Sequence, residues 1–227
     1  MGFFCFSMKS KEILFSSKTL LFIGIVIFII IYYKVPFIFF QQDEWYAFGN
    51  IIDLGSKLIF YRFNVGDINH FVPLNSFIGV TLYKIFGLNY IGYNAVDLFL
   101  HFINGLLVFV ITLKINKKKS IALLSAILFI SSASAAQLVM WPFVGVNMLT
   151  LTFALLAWFV ALGYPTGRRL YFKGLVVALL TIMALMTNEY AGGLLIFVPA
   201  LTIIFAKKGR IHDAFRFLLP FSVLGLS

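Results

Sequence analysis

The feature that most constrains this chain is a series of long apolar runs that alternate with short basic clusters. A helix rises about 1.5 Å per residue, so about 20 apolar residues cross the hydrocarbon core of a bilayer. Backbone groups find no hydrogen-bond partners in lipid, and each run is therefore predicted to be a transmembrane helix. The candidate spans are 20–40, 90–113, 121–140, 144–163, 171–187 and 190–206, with an incomplete seventh at 217–227.

Composition supports a membrane protein and excludes a soluble domain. The chain is 62% hydrophobic and 11% charged, whereas a soluble domain is about half apolar and one quarter charged. A net charge of +10 is compatible with nucleic-acid binding only if the basic residues share an exposed face, and here they lie in short clusters between apolar runs. We therefore expect membrane lipids as partners and no nucleic acid.

The basic clusters predict the topology. Two crossings separate each cluster from the next, so all of them can face the cytoplasm, as the positive-inside rule requires. Residues 1–19 are then a cytoplasmic tail and 41–89 a long outer loop, in which 44–63 and 73–86 are expected to form helices on the membrane surface. The clusters are Lys9, Lys11 and Lys18; Lys114, Lys117, Lys118 and Lys119; Arg168, Arg169 and Lys173; and Lys207, Lys208, Arg210 and Arg216.

The two ends of the chain carry further expectations. The first apolar run is too long for the apolar region of a signal peptide, so it is predicted to be an uncleaved anchor. The last run is too short to cross a bilayer. Residues 1–227 are therefore predicted to be the amino-terminal part of a longer transmembrane domain, an all-α bundle of about six complete spans and a truncated seventh.

Three carboxylates are predicted to face outward. Asp43 and Glu44 directly follow the first span, where an adjacent pair can supply a general base and a positioning group. The alternative is ordinary interfacial charge. Glu189 lies in the polar break that must divide 174–206 into a hairpin, and it is the only acidic residue between Asp97 and Asp213. Its alternative role is to stabilise the start of the following helix.

Cations and intramembrane polar residues complete the candidates. Arg62, His70 and Lys84 are the outer groups able to meet a phosphate, and Lys34 can reach the same surface by snorkelling. Asp97 and His101 lie four residues apart in the second span and therefore share one helix face. Ionisable groups in a span predict either a functional site or a packed polar network. Two such ligands fall short of a metal site, so no cofactor is predicted, and a divalent metal has no support in the sequence.

The order of these features resembles the amino-terminal half of the GT-C membrane glycosyltransferases. It is similar in particular to protein O-mannosyltransferase-like and tetratricopeptide-linked mannosyltransferases, which carry an H-x-R-P-L, F-G-x-N, N-x-x-x-H-x-x-N string. Three positions depart from the pattern: Val72 stands in place of Arg, Asp97 in place of Asn, and Asn188 in place of Lys. The matching residues are His70, Pro73, Leu74, Phe86, Gly87, Asn89, His101 and Asn104, followed by Trp141 and Glu189 in later turns.

The resemblance implies an enzyme that moves a sugar from a polyprenyl-phosphate donor to a protein, lipid or glycan acceptor on the periplasmic or luminal side, with inversion. It implies that Asp43 is the base, that Glu44 and Glu189 shape the substrate pocket, and that Arg62 and His70 lie near the phosphate. The expected location is a bacterial inner membrane, or the endoplasmic reticulum in a eukaryote. Two alternatives remain open: a transporter or flippase for a lipid-linked sugar, and a noncatalytic membrane subunit.

Overall fold

The computed structural model describes residues 17–65, 68–141, 146–162, 169–204 and 217–218. Residues 1–16 of the expected tail, Arg168, the cluster from Lys207 to Arg216, and nearly all of 217–227 lie outside this part of the chain. Among the described residues, 3-10 helices occur at Val35–Phe37, Gly55–Phe60 and Glu189–Gly193. The strands are β1 Phe63–Val65 and β2 Ile68–His70, and the helices are α1 Ser17–Tyr32, α2 Gln42–Leu54, α3 Pro73–Phe86, α4 Tyr90–Asn116, α5 Lys119–Ile130, α6 Ala133–Val139, α7 Val146–Ala161, α8 Arg169–Thr187 and α9 Leu194–Ile204.

The predicted helical class is confirmed, but fewer spans are supported than the sequence predicts. Within the described residues, two helices are long and apolar enough to cross a membrane, Lys18–Phe37 and Tyr90–Asn116. The pair Lys119–Ile130 and Ala133–Val139 makes a third span if the two helices, bent by 54°, are counted as one. The other apolar helices, Met148–Ala161, Tyr171–Thr187 and Glu189–Ala200, are each shorter than 18 residues.

Two predicted spans are interrupted for identifiable reasons. Pro36 lacks an N–H donor, and in a continued α-helix its ring would clash with the carbonyl of Tyr32. Helix α1 therefore ends at Tyr32, and a 3-10 turn follows. In the third run the break falls at Ser132, whose side chain accepts a hydrogen bond from Ala135 N at 3.3 Å and so caps a new helix, α6. A serine side chain that binds a nearby backbone N–H competes with helical hydrogen bonds. The apolar character of the run does not show that Ser132 will do so.

Helix α4 lies at the centre of the bundle. It contacts α5, α7 and the Val35–Phe37 turn, while α1 packs on α5 and α8 packs on α7. The amide of Asn104 meets Met148 at the start of α7, and Lys114 meets Phe159 near its end, so α4 and α7 run in parallel. Helix α8 is antiparallel to α7, because Thr187 at its end contacts Thr150.

The predicted outer loop folds onto the first turns of α4. Helix α3 occupies the predicted range, 73–86, and ends at Gly87, which has the positive φ of 56° that favours glycine. The predicted helix over 44–63 is wrong in its extent: α2 stops at Gly55, also at positive φ, and a 3-10 turn and a two-stranded hairpin follow. A cluster of buried side chains joins these pieces: Phe40, Phe48, Ile51, Leu58, Val80 and Tyr93.

Candidate functional site

Asp43 and Glu44 lie side by side in the first turn of α2 but in different environments. Asp43 is exposed, whereas Glu44 is fully buried. Oε2 of Glu44 accepts a hydrogen bond from Gln41 N at 2.7 Å, and the Gln41 side chain accepts one from the backbone N–H of Glu44. This reciprocal capping box orients the start of α2 and leaves Asp43 directed outward. The usual sequence signature has Ser, Thr, Asp or Asn at the first position, so Gln41 did not indicate this cap.

The segment before α2 is attached to the first turns of α4. The Asn94 amide donates to Ile38 O at 2.9 Å, and Gln41 Nε2 donates to Met140 O at 3.4 Å. The carboxylate of Glu44 lies close enough to that of Asp97 for the two charges to repel each other. The α2 carboxylate pair, Asp43 and Glu44, is therefore built on the beginning of α4.

Glu189 is hydrogen-bonded to the segment that precedes α3. Its Oε1 accepts a hydrogen bond from Phe71 N at 2.9 Å, and the guanidinium of Arg62 lies 5.8 Å from the centre of the Phe71 ring. The backbone of His70 ends β2 and precedes Phe71 directly. The structure thus brings together Glu189, Arg62 and the backbone of His70. The Lys84 and Lys34 side chains are exposed, and Lys34 lies 5.5 Å from the Tyr33 ring centre.

The three candidate carboxylates and the basic cluster around Lys114 lie at opposite ends of the bundle. Lys114 donates to Phe159 O at 3.0 Å near the end of α7, and it lies about 25 Å along α4 from Asp97. Lys18 and Lys119 line one groove with Phe109, so they share the end where Lys114 lies. We call this the basic end. Asp43, Glu44 and Glu189 lie toward the other end, which we call the carboxylate end.

Within the carboxylate end, Glu189 lies deeper than the α2 pair. The segment that leads into α2 is hydrogen-bonded to Asn94, whereas the start of α7 meets Asn104, about 15 Å further along α4. The turn that carries Glu189 is level with the start of α7, since Thr187 and Thr150 share a 2.7 Å hydrogen bond. The two acidic positions are therefore offset along the bundle axis.

The polar face of α4 joins it to its neighbours. Tyr32 Oη donates to Ile130 O at 2.6 Å, a carbonyl left without an intrahelical partner because α5 ends there. His101 Nε2 lies 2.9 Å from Tyr32 Oη and 3.2 Å from Ile130 O, which assigns the proton to Nε2. Further along α4, Asn104 donates to Met148 O at 2.9 Å and accepts from Thr152 Oγ1 at 2.8 Å.

Three acceptor atoms on this face have no hydrogen-bond partner among the described residues. They are Asn94 Oδ1, Asp97 Oδ2 and His101 Nδ1, and all three side chains are buried. Over the same residues, no group of three or more His, Cys, Asp or Glu side chains is placed to hold a metal ion. The contacts of Tyr32, Phe71 and Thr152 with these polar residues could not be predicted, because an apolar run does not indicate which helix will lie opposite it.

Comparison with protein-family models, with curated proteins and with solved structures finds no match to this chain. The geometry of its own residues therefore carries the functional argument.

Proposed function

We propose that this chain is a glycosyltransferase domain that takes a sugar from a polyprenyl-phosphate donor and transfers it to an acceptor hydroxyl at the carboxylate end. The observation that carries the proposal is the α2 carboxylate pair. One carboxylate is exposed at the exit of a membrane span, and its neighbour is buried and fixed in a capping box. The arrangement provides an accessible base on a rigid support.

The proposed reaction has one displacement step. The acceptor hydroxyl oxygen forms a bond to the anomeric carbon of the sugar, and the bond from that carbon to the phosphate oxygen breaks. The electron pair leaves with the polyprenyl phosphate, which is already a stable anion and needs no strong acid. The hydroxyl proton passes to the Asp43 carboxylate. Attack from the face opposite the phosphate inverts the anomeric centre.

In this scheme Glu44 positions Asp43 by holding the first turn of α2. Its side chain is fully buried and one of its oxygens caps α2, so it is better placed to hold the first turn of the helix than to touch a substrate. Arg62 is exposed beside Phe71, where a guanidinium can bind a phosphate with two hydrogen bonds. Glu189 anchors the Phe71 backbone and thereby sets the position of the same loop.

The surroundings of Asp43 suit a lipid-linked donor. Exposed aromatic side chains flank it, with Phe39 55% exposed, Trp45 46% and Tyr46 64%. Phe39 and Trp45 pack with ring centres 5.9 Å apart and extend the apolar surface of the first span toward the carboxylate. A prenyl chain in the bilayer can follow this surface, while the phosphate meets the Arg62 guanidinium beside Phe71.

The proposal also specifies which end of the bundle faces the cytoplasm. With the basic end in the cytoplasm, as the positive-inside rule favours, the carboxylate end lies on the periplasmic or luminal side, and the shorter apolar helices complete a six-span bundle. No nucleotide sugar is available on that side, which is why a lipid-linked donor is the fitting substrate.

The experiment compares two aspartates of α2. Full-length protein in liposomes is supplied with several radiolabelled polyprenyl-phosphate sugars, and transfer to acceptors is measured. Asp43→Asn should abolish transfer, because the proton acceptor is lost. Asp53→Asn should keep wild-type activity, since Asp53 is also exposed but lies at the other end of the helix. Equal activity in both variants would remove the catalytic assignment.

One observation favours a second function, transport of a lipid-linked sugar. Asp97 and His101 are buried in a span with acceptor atoms that lack partners, a feature common along transport paths. The two functions separate in one assay. A transporter moves the labelled lipid across the liposome membrane without forming a new glycoside and depends on Asp97. A transferase forms the glycoside and tolerates Asp97→Asn.

A further inference from the structure

A groove of about 560 Å³ lies between α1, α4 and α5 at the basic end. Its volume falls within the range of about 300–1,000 Å³ that is usual for ligand pockets. Its lining includes three small residues, Gly24 on α1, Gly105 on α4 and Ala126 on α5. Both glycines allow close approach of helices, since a Cβ on Gly24 would lie 2.9 Å from Ile127 and one on Gly105 would lie 2.7 Å from Ile130.

The walls of the groove are hydrocarbon and open toward the surface of the bundle. Leu21 is 54% exposed and Phe102 is 51% exposed, although both are large apolar side chains. Such exposure is costly in water but not in a bilayer, where lipid chains cover it. The groove therefore faces the hydrocarbon of the membrane.

Two lysines stand at one end of this apolar groove. Lys18 at the start of α1 and Lys119 at the start of α5 both line it, and both are exposed. At the other end Phe28 closes the groove, packed against Tyr32 with ring centres 4.9 Å apart. The groove is thus cationic at the basic end of the bundle and apolar elsewhere.

The length of the groove matches one leaflet. From Lys18 to Phe28 along α1, and from Lys119 to Ile130 along α5, the distance is about 15 Å. The hydrocarbon core of a bilayer is about 30 Å thick, so the groove extends from a headgroup region to the middle of the membrane. A phospholipid has this layout, with an anionic group at one end and a chain that ends near the midplane.

We propose that the groove is a binding site for a single anionic phospholipid in the leaflet at the basic end. The lipid phosphate and acidic headgroup lie between Lys18 and Lys119, and one acyl chain runs along Gly24, Gly105 and Ala126 toward Phe28. This inference goes beyond the proposed function, because the groove lies at the end of the bundle opposite Asp43. It holds whether or not the chain transfers a sugar.

The charge test uses native mass spectrometry of the full-length protein in detergent, titrated with phosphatidylglycerol or phosphatidylcholine. The wild type should bind one phosphatidylglycerol in clear preference to phosphatidylcholine. Lys18→Gln combined with Lys119→Gln should weaken phosphatidylglycerol binding by about tenfold or more, since each lysine contributes to holding the anion. Lys117→Gln combined with Lys118→Gln removes the same charge from the same cluster outside the groove and should change binding by less than about twofold.

The shape test fills the groove without changing charge. Ala126→Phe places a ring in the path of the acyl chain and should abolish the one-to-one complex. Leu128→Phe is its control, because Leu128 is 61% exposed on the same helix but does not line the groove. Equal binding of the two lipids, equal loss in both lysine pairs, or full binding by Ala126→Phe would each overturn the proposal. A failure of Asp43→Asn to affect transfer would leave it untouched.

Discussion

The carboxylate of Glu189 and the backbone N–H of Phe71 are joined by a 2.9 Å hydrogen bond across 118 positions of sequence. The contact fixes the start of α3 against the turn after α8, and α3 also packs along α8. At its other end α3 lies against the first turns of α4, where Tyr93 Oη donates to Gly87 O at 2.9 Å. Helix α3 therefore connects the turn that carries Glu189 to the first turns of α4.

The Glu189 anchor leads to a prediction about local opening. Glu189→Ala removes the acceptor of the Phe71 N–H, so the hydrogen exchange of that amide should accelerate roughly fivefold. Glu189→Gln keeps an oxygen acceptor without the charge and should exchange at close to the wild-type rate. Exchange mass spectrometry of peptides that cover 68–75 measures both. Unchanged exchange in Glu189→Ala would show that the contact does not hold the loop.

The hydroxyl of Tyr32 is predicted to stabilise the meeting of α1, α4 and α5. Tyr32→Phe leaves Ile130 O and His101 Nε2 with weaker partners in a buried site, and it should cost about 1–2 kcal/mol. Thermal unfolding in detergent should show a midpoint lower by a few degrees. Tyr33→Phe is the matched control, since Tyr33 is 58% exposed, and it should unfold at the wild-type temperature.

Gly105 is predicted to be required for the close packing of α4 on α5. A methyl group there would lie 2.7 Å from Cγ2 of Ile130, and Gly105→Ala should destabilise the protein by about 1–3 kcal/mol. Gly49→Ala is the control, because no atom lies within 4 Å of its added Cβ and alanine favours the α2 helix. Combining Gly105→Ala with Ile130→Ala should recover part of the loss. Additive costs in that double variant would argue against a steric cause.

We predict that the buried Asp97 side chain lowers the stability of the folded protein. Its Oδ2 has no hydrogen-bond partner among the described residues, the side chain is 3% exposed, and the Glu44 carboxylate repels it. Asp97→Asn replaces this buried carboxyl group by an amide with almost no change of volume, so the thermal midpoint should rise. Asp53→Asn, on the exposed face of α2, should leave the midpoint unchanged. A lower midpoint for Asp97→Asn would show that the carboxylate has a stabilising partner.

Because the carboxylate end and the basic end lie at opposite ends of the bundle, cysteines placed at the two ends should be labelled from opposite sides of the membrane. The chain has one cysteine, so Cys5→Ser provides a background for single-cysteine variants. Tyr46→Cys on α2 and Tyr190→Cys after α8 replace side chains that are 64% and 91% exposed. Both should react with an impermeant maleimide from the same side of the membrane, and Lys118→Cys from the other. Labelling of Tyr46→Cys and Tyr190→Cys from different sides would separate the acidic residues and remove the proposed site.

Local signals account for the parts of the fold that the sequence predicts well. Helix α3 lies at the predicted positions because Pro73 suits a first turn and Gly87 ends the helix with a positive φ, which glycine tolerates best. Helix α4 begins at the predicted Tyr90, where the side chain of Asn89 accepts from Ile91 N at 3.2 Å. These signals act within a few residues and can be read without knowing the fold.

Other features depend on residues that are distant in sequence. An apolar run does not show that Ser132 will begin a new helix, or that the carbonyl freed at Ile130 will meet Tyr32 and His101. The polar face of α4 was visible from the spacing of Asp97 and His101, but its partners were not. Only packing shows that Glu44 is buried while Asp43 beside it is exposed.

By itself the sequence determined that the chain is helical and suited to a membrane, because hydrophobicity acts locally and a continuous apolar run of about 20 residues satisfies its backbone in lipid as a helix. The tertiary structure alone decided which polar atoms meet, how far Glu189 lies from the α2 pair along the bundle, and where a groove opens between α1, α4 and α5. Those relationships arise from side chains that pack across separate helices, and spacing along one chain does not specify them.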